Sequence, residues 1–411
     1  RPTRSRRKIK RVISRTISRR DFFCIFAVDL IARWFYQVGK TPLLPLYAAA
    51  IGAGEIMIGF IVGVSTFSGI ILKPIFGILS DFLGKKVWLF VALVIFTCTP
   101  FAYQFVSSEQ DLFFLRLFHG ISTAILGPVG LAYVVHLNND TQTKRLAYFG
   151  VSRSLASLSA PIAAGMALTI FDFETIFILI GIGSIFAMVP LFLIRDNSAP
   201  SNISNNMSWK KIGIAIHESI SIPAVWMAGL LEMLVYSIVY SLRAFLPLFI
   251  ISQDNGTILQ AGLFFSIQEI IHMLCRPIGA QLADKKGYRV TIISGMLLLA
   301  SGLFLVNIFT GNFLIIIAIF IGAGQGLIFP TSVALLADEV NKTYRGTAMG
   351  IYGSLRNIGK VIGPVCAGFA LATYDFSLVF ITLASIIVVI AFLVMLFWNK
   401  IVRKNIFQHF H

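Results

Sequence analysis

The sequence predicts an all-α membrane protein of twelve transmembrane helices arranged as two six-helix halves, and three observations carry that prediction. Of the 411 residues 57% are hydrophobic and only 13% charged, with a mean hydropathy of +0.84; a soluble fold has no interior able to hide so much apolar surface. Apolar runs of about 20 residues, each enough to cross a hydrocarbon core of roughly 30 Å, recur twelve times. The chain also repeats itself: LKPIFGILSDFLGKKV at 72–87 and CRPIGAQLADKKGYRV at 275–290 lie 203 positions apart. Helix is the backbone form that satisfies its own polar groups across so many lipid-facing runs, and long internal repeats in such a chain mark transporters whose halves rock about a shared site.

Residues 1–20 hold ten basic residues, with Ile9, Val12, Ile13 and Ile17 at helical spacing. Two readings fit this segment: a basic amphipathic helix on anionic lipid, and a disordered tail that fixes topology. No cleavable signal is expected, because the basic stretch is long and leads into a full-length span. The first half, 21–194, holds spans at 22–49, 56–79, 87–107, 112–136, 146–170 and 174–194. Residues 195–219 form the linker, Asn/Ser-rich at first, with a short interfacial helix expected from Trp209 to Ile216. The second half, 220–400, holds spans at 222–250, 260–282, 290–310, 313–337, 346–372 and 376–398, before a basic tail at 401–411.

Charge sets the expected orientation, since Lys and Arg stay on the cytoplasmic side. Every second loop is basic (Lys85-Lys86, Lys144-Arg145, Lys210-Lys211, Lys285-Lys286, Lys342 with Arg345), whereas the intervening loops carry acids such as Glu55, Glu109, Asp172, Asp254 and Asp375. Both termini are expected in the cytoplasm of a protein of the plasma or inner membrane. The net charge of +16 sits mostly on these flanks, so no nucleic-acid partner is expected. Cys24, Cys98, Cys275 and Cys366 are scattered singly inside spans, as packing residues rather than disulfide or metal ligands. No metal, cofactor or catalytic motif is read: there is no phosphate-cradling P-loop and no G-x-S-x-G elbow, and an enzyme is not expected.

Both copies of the repeat keep basic-Pro-Ile, an acid seven residues after the proline and a glycine ten after it: Pro74, Asp81 and Gly84 against Pro277, Asp284 and Gly287. They close on Lys86-Val87 and Arg289-Val290. The first copy, with Gly77, Asp81, Gly84, Lys85 and Lys86 between spans two and three, resembles the signature loop of the major facilitator superfamily over residues 21–400. The second copy departs at Ala280 and Tyr288. A glycine permits close helix approach, and a carboxylate at a helix end meets the positive N-terminal dipole of a helix in the other half. The resemblance implies that Asp81 faces the start of span eleven and Asp284 the start of span five, holding the cytoplasmic side shut.

Small residues in span eleven, Gly350, Gly359, Gly363, Pro364 and Gly368, have the spacing of the superfamily's drug/proton antiporter motif. Span five repeats the pattern as Ala147, Ala156, Ala160, Pro161, Ala164 and Gly165. Both stretches offer smooth faces for close crossing with a proline bend. Arg116-x-x-His119-Gly120 is similar to the R-x-x-Q-G signature that the resemblance ties to proton coupling, with histidine in place of glutamine.

Charges inside spans are costly, about 2.5–3.5 kcal/mol each at mid-membrane on insertion scales, and therefore informative. Lys73 and Arg276 lie near cytoplasmic span ends and Lys40 and Arg243 towards outer ones, where snorkelling accounts for them. Asp29 and Arg33, four apart, are spaced to pair; a structural and a functional role stand equal. Arg356 and Lys360 are also four apart and repel, so an anion must compensate, from Glu232, from Glu269 or from a substrate. Arg153 duplicates Arg356 at an offset of 203, which biases the cavity towards anions unless both arginines bind helix-end carbonyls. Glu269 and His272 make a candidate proton relay. The expected function is secondary transport of a small organic solute by a monomer in contact with membrane lipid, with proton-coupled export of an anion favoured. An importer or anion exchanger is the alternative, and a transport-inactive scaffold is a rival from another class.

Overall fold

The computed structural model describes residues 4–137, 142–194, 209–253, 256–309, 311–341 and 344–402. The first half contains α1 (Arg4–Val38), α2 (Leu43–Ala50), α3 (Glu55–Leu83), α4 (Lys85–Ala102), α5 (Glu109–His136), α6 (Gln142–Ala167), α7 (Phe173–Ile185) and α8 (Met188–Leu193). The second contains α10 (Pro223–Ile251), α11 (Ile258–Lys286), α12 (Tyr288–Leu305), α13 (Leu314–Glu339), α14 (Arg345–Leu371) and α15 (Phe376–Val402), with α9 (Trp209–Ile220) leading into it. The linker helix thus runs four residues beyond its expected end. The first span is broken after Val38 and resumes as α2, and the sixth is split between α7 and α8. The basic segment is helical from Arg4 and continuous with the first span.

Ten of the described helices are long and apolar enough to cross a membrane. The two that complete the twelve, α6 and α14, have the length but not the apolarity, because they carry Arg145 and Arg153, and Arg345, Arg356 and Lys360. Their polar residues are those that a helix lining an aqueous cavity keeps.

Each half has its own core. Phe22, Ile25, Leu93, Phe96, Leu126 and Phe149 pack in the first, and Leu242, Phe264, Met296, Leu299, Ile321 and Phe380 in the second. A third core crosses between the halves: Leu43, Tyr47, Ile58, Ala160 and Ala164 of the first meet Ala244, Phe245, Ala367 and Leu371 of the second. All of these lie towards the ends of the helices that carry the acidic loops. Backbone contact is close there. A Cβ added at Gly262 on α11 would lie 2.5 Å from the Pro161 carbonyl oxygen on α6, and one at Gly368 on α14 the same distance from that of Glu55 on α3. Ser266 Oγ accepts from Ile162 N at 3.0 Å across the same seam. At the basic-loop end the picture reverses: a Cβ at Gly77, Gly150, Gly346 or Gly350 would meet nothing within 4 Å. The halves are closed at the acidic-loop face and splayed at the basic-loop face.

That splay bears on two expectations. Gly77 and Gly350 mediate no close helix approach in this conformation, whereas Gly165, Gly359, Gly363 and Gly368 do. Asp284 is exposed in this conformation, which is splayed at the face where its contact with the start of α6 is expected; the side chain of Asp81 lies outside the described residues. Cys98 and Cys366 face outward instead of packing.

Candidate functional site

The splay opens a cavity of about 620 Å³ between the halves, walled mainly by α1, α3, α5, α6, α10 and α14. Six basic side chains line it: Arg33 from α1, Lys40 from the turn that follows α1, Lys73 from α3, Arg153 from α6, and Arg356 and Lys360 from α14. Neither Asp nor Glu lines it among the described residues. Tyr36, Gln37, Ser157, Tyr240 and Asn357 supply neutral hydrogen-bonding groups.

The acids sit one layer behind. Asp29 is fully buried; its Oδ1 accepts from Arg33 Nε at 2.7 Å and its Oδ2 from Ser152 Oγ at 2.6 Å. Glu232 on α10 is buried with neither carboxylate oxygen hydrogen-bonded, and the cations that attract it are Arg356, Lys360 and Arg276. Asp29 and Glu232 are themselves 203 positions apart. In each half, then, an acid on the first helix attracts the arginine of the fifth electrostatically, Asp29 with Arg153 and Glu232 with Arg356. The duplication offset would have revealed this pairing of acids.

Several side chains behave otherwise than their positions along the spans suggest. Lys40 does not snorkel: it is buried, with Nζ 4.8 Å from the Tyr240 ring centroid and 5.7 Å from that of Tyr36. Lys73 also points into the cavity. Arg243, expected to snorkel, pairs with Glu269 at 3.5 Å, and Glu269 meets His272 at 3.5 Å. Glu269 is therefore Arg243's partner and not the counter-ion of Arg356 and Lys360. Arg116 lies off the cavity, fully buried, donating to Ser65 Oγ at 2.9 Å and to the Tyr36 and Tyr103 hydroxyls at 3.5 Å. His119 packs against the edges of Tyr36 and Phe96, and neither ring nitrogen has a hydrogen-bond partner.

Sequence reasoning missed the tyrosines. Lys360 Nζ lies 4.8 Å from the Tyr236 ring and 5.7 Å from that of Tyr240, and donates to Asn357 Oδ1 at 3.1 Å. Arg356 lies over Tyr236 at 5.6 Å and Tyr352 at 6.0 Å. Aromatic faces hold cations in place without neutralising them, so these charges stay available. The only sequence signal was helical spacing, four residues from Tyr236 to Tyr240 on α10.

The basic residues of the repeat prove structural as well as motif-like. Lys86 Nζ donates to the Ile194 carbonyl at 2.6 Å, just past the end of α8, and Arg289 Nη2 donates to the Met395 carbonyl at 2.6 Å on α15. Each ties the third span of its half to the sixth, Lys86 at a helix C-terminal end, where a cation is favoured, and Arg289 about two turns before one. Gly84 and Gly287, with φ of +89° and +85°, make the turn that aims them.

A two-bundle membrane fold, closed at one face around a polar central cavity, defines a transporter of the alternating-access kind. The Major Facilitator Superfamily profile matches residues 22–250 and 225–407, and the chain belongs to that superfamily. It is 25% identical over 80% of its length to an uncharacterized MFS-type transporter of Methanocaldococcus jannaschii, covering 86% of that protein. The multi-drug resistance efflux pump PmrA of Streptococcus pneumoniae is 22% identical, over 83% of this chain and 86% of the pump. Among solved structures, the nucleoside transporter NupG superposes with a TM-score of 0.80 at 15% identity, over 91% of this chain and 99% of that one. A bacterial homolog to the human lysosomal transporter Spinster, in an inward-facing and unoccupied conformation, superposes with a TM-score of 0.75 at 13% identity, covering 95% of this chain and 98% of its own.

Proposed function

We propose that this protein is a proton-coupled exporter of a small organic anion in the cell membrane, acting as a monomer by alternating access. The carrying observation is the ring of Arg33, Lys40, Lys73, Arg153, Arg356 and Lys360 around one cavity with no acid on its wall among the described residues. The positive-inside bias of the loops favours a cytoplasmic basic-loop face and cytoplasmic termini, which makes the open side the cytoplasmic one. Export is favoured by the small-residue face of α14 and by the efflux pumps among the relatives. Asp81 and Asp284, on this reading, meet the opposite half when the basic-loop face closes. Glu232, buried and facing Arg356, is the candidate proton site, with Arg116 as a supporting charge.

Lys360→Ala and Arg356→Ala in reconstituted vesicles test the charge of the substrate. Each should weaken an identified anion's binding by about 30- to 1,000-fold, as loss of one desolvated charge contact of about 2–4 kcal/mol requires. Survival of affinity in both variants would remove the positive-cavity reading. A second reading, uptake or exchange of the anion, is favoured by the Glu232–Arg356 placement: an anion that takes Arg356 from Glu232 leaves a carboxylate ready for a proton, so both cross together. Flux with an imposed pH gradient of either sign separates cotransport from antiport, and insensitivity to both signs points to exchange.

A further inference from the structure

The anionic reading of the cavity leaves the number and spacing of the substrate's charges open, and the lining carries that information. We infer that the cavity takes a substrate with two separate anionic groups about one helical turn apart, a small organic dicarboxylate or its equivalent, and this rests on the reading of the cavity as an anion site.

The first argument is charge balance. Six basic side chains line the cavity, while the acids standing behind them are Asp29, bonded to Arg33 and Ser152, and Glu232, which faces Arg356. Two negative charges against six positive ones leave an excess that a single carboxylate does not meet. The second argument is arrangement. Lys360 follows Arg356 by four residues on α14, as Ser157 follows Arg153 on α6 and Gln37 follows Arg33 on α1. All three helices run from the basic-loop face towards the acidic one, so the side chains form two tiers separated by about 6 Å of helix rise.

The tier near the opening holds Arg33, Arg153 and Arg356, whose guanidinium forks suit bidentate contact with a carboxylate. Towards the closed end, Lys40 and Lys360 lie on the same ring, that of Tyr240, at 4.8 and 5.7 Å. Two ammonium groups drawn to one phenol, with Ser157 and Asn357 beside them on the wall, form a pocket for a second anionic group. A dianion bridging the tiers also touches both halves, since Arg153 and Arg356 belong to different bundles, and so draws them together as the site closes.

Binding to the purified full-length protein tests this, by intrinsic fluorescence or shift of the unfolding midpoint, at fixed pH and ionic strength. Glutarate and adipate are the dianionic probes, valerate the monoanion of similar length, and glycerol 3-phosphate a dianion with both charges on one group. Glutarate or adipate should half-saturate at about 30-fold lower concentration than valerate or more, as one further desolvated charge contact gives. Lys360→Gln and Arg153→Gln should each remove the dicarboxylate advantage, so that glutarate and adipate bind no better than valerate does to the same variant, and Lys360→Arg should restore the difference. Monodispersity and helical circular dichroism establish that each variant is folded. Valerate binding as tightly as glutarate, a dianion preference that survives both Gln variants, or preference for glycerol 3-phosphate over both dicarboxylates would overturn the two-tier inference and leave the anionic cavity standing. Binding of a hydrophobic cation such as ethidium, with none of the anions bound, would overturn both.

Discussion

The seam at the acidic-loop face makes a quantitative prediction about the conformational equilibrium. Gly262 on α11 faces the backbone of Pro161 and Gly165 on α6 in the other half, and a Cβ there would lie 2.5 Å from the Pro161 carbonyl oxygen. The obstacle is helix backbone, which cannot step aside as a side-chain tip does. Gly262→Ala therefore penalises the conformer closed at this face by the usual cost of overpacking, about 1–3 kcal/mol. Alanine's better helix propensity applies in both conformers and cancels from their ratio. If the observed conformer holds about 90% of the population, a penalty of about 2 kcal/mol divides the ratio of nine by roughly 30 and leaves it about a quarter. Spin labels at Ile170→Cys and Ile308→Cys, exposed on different halves near this face, report the opening as a longer distance population in a background with the four native cysteines replaced. Gly279→Ala is the control: its Cβ would lie 2.8 Å from the Gly326 carbonyl oxygen within the second half, so it should lower the unfolding midpoint without moving the distance distribution. An unmoved distribution in Gly262→Ala would show that the seam does not control the equilibrium.

Three further perturbations follow from the repeat. Lys86→Ala and Arg289→Ala should each destabilise by about 1–2 kcal/mol through loss of a charge-assisted bond to carbonyls near a helix end, read as similar drops in unfolding midpoint with transport per folded molecule retained. Gly84→Ala and Gly287→Ala force a side chain into a backbone region that only glycine enters freely, at about 1–3 kcal/mol each, seen in the same assay. Asp81→Asn should slow turnover in reconstituted vesicles while leaving the substrate dissociation constant unchanged; an unaltered rate would remove the gate role.

The count of spans and their alternation were legible because they depend on local composition, and the chain spells them out loop by loop. Side-chain direction was not legible, because helical spacing fixes which residues share a face but not how that face is turned in the bundle. Lys40 and Lys73 show the difference: their positions along the spans suggest snorkelling, yet the turn after α1 and the rotation of α3 aim them into the cavity. Arg33, Arg153, Arg356 and Lys360 were identified from charge alone, because burying a cation in a span demands a reason. Gating contacts at Asp284 were not recoverable from this conformation, since a rocking protein makes them in only one of its states.

Comparison of the two halves through the offset of 203 shows where the substrate chemistry resides. Positions that match, Asp29 with Glu232 and Arg153 with Arg356, place an acid behind an arginine in both bundles, as a framework that rocks symmetrically requires. Positions that diverge lie on the cavity wall or against its cations: Arg33 against Tyr236, Gln37 against Tyr240, and Ser157 against Lys360. The most informative divergence involves Lys40 and Arg243. Thr66 corresponds to Glu269, so the second half has given its outer cation a carboxylate at 3.5 Å, while the first half has left Lys40 on the cavity wall with a threonine in the equivalent place. Restoring the match with Thr66→Glu would place an acid on that wall beside Lys40. If the cavity selects anions through uncompensated charge, this one substitution should weaken anion binding by about tenfold or more while leaving the fold and the Arg243–Glu269 pair intact.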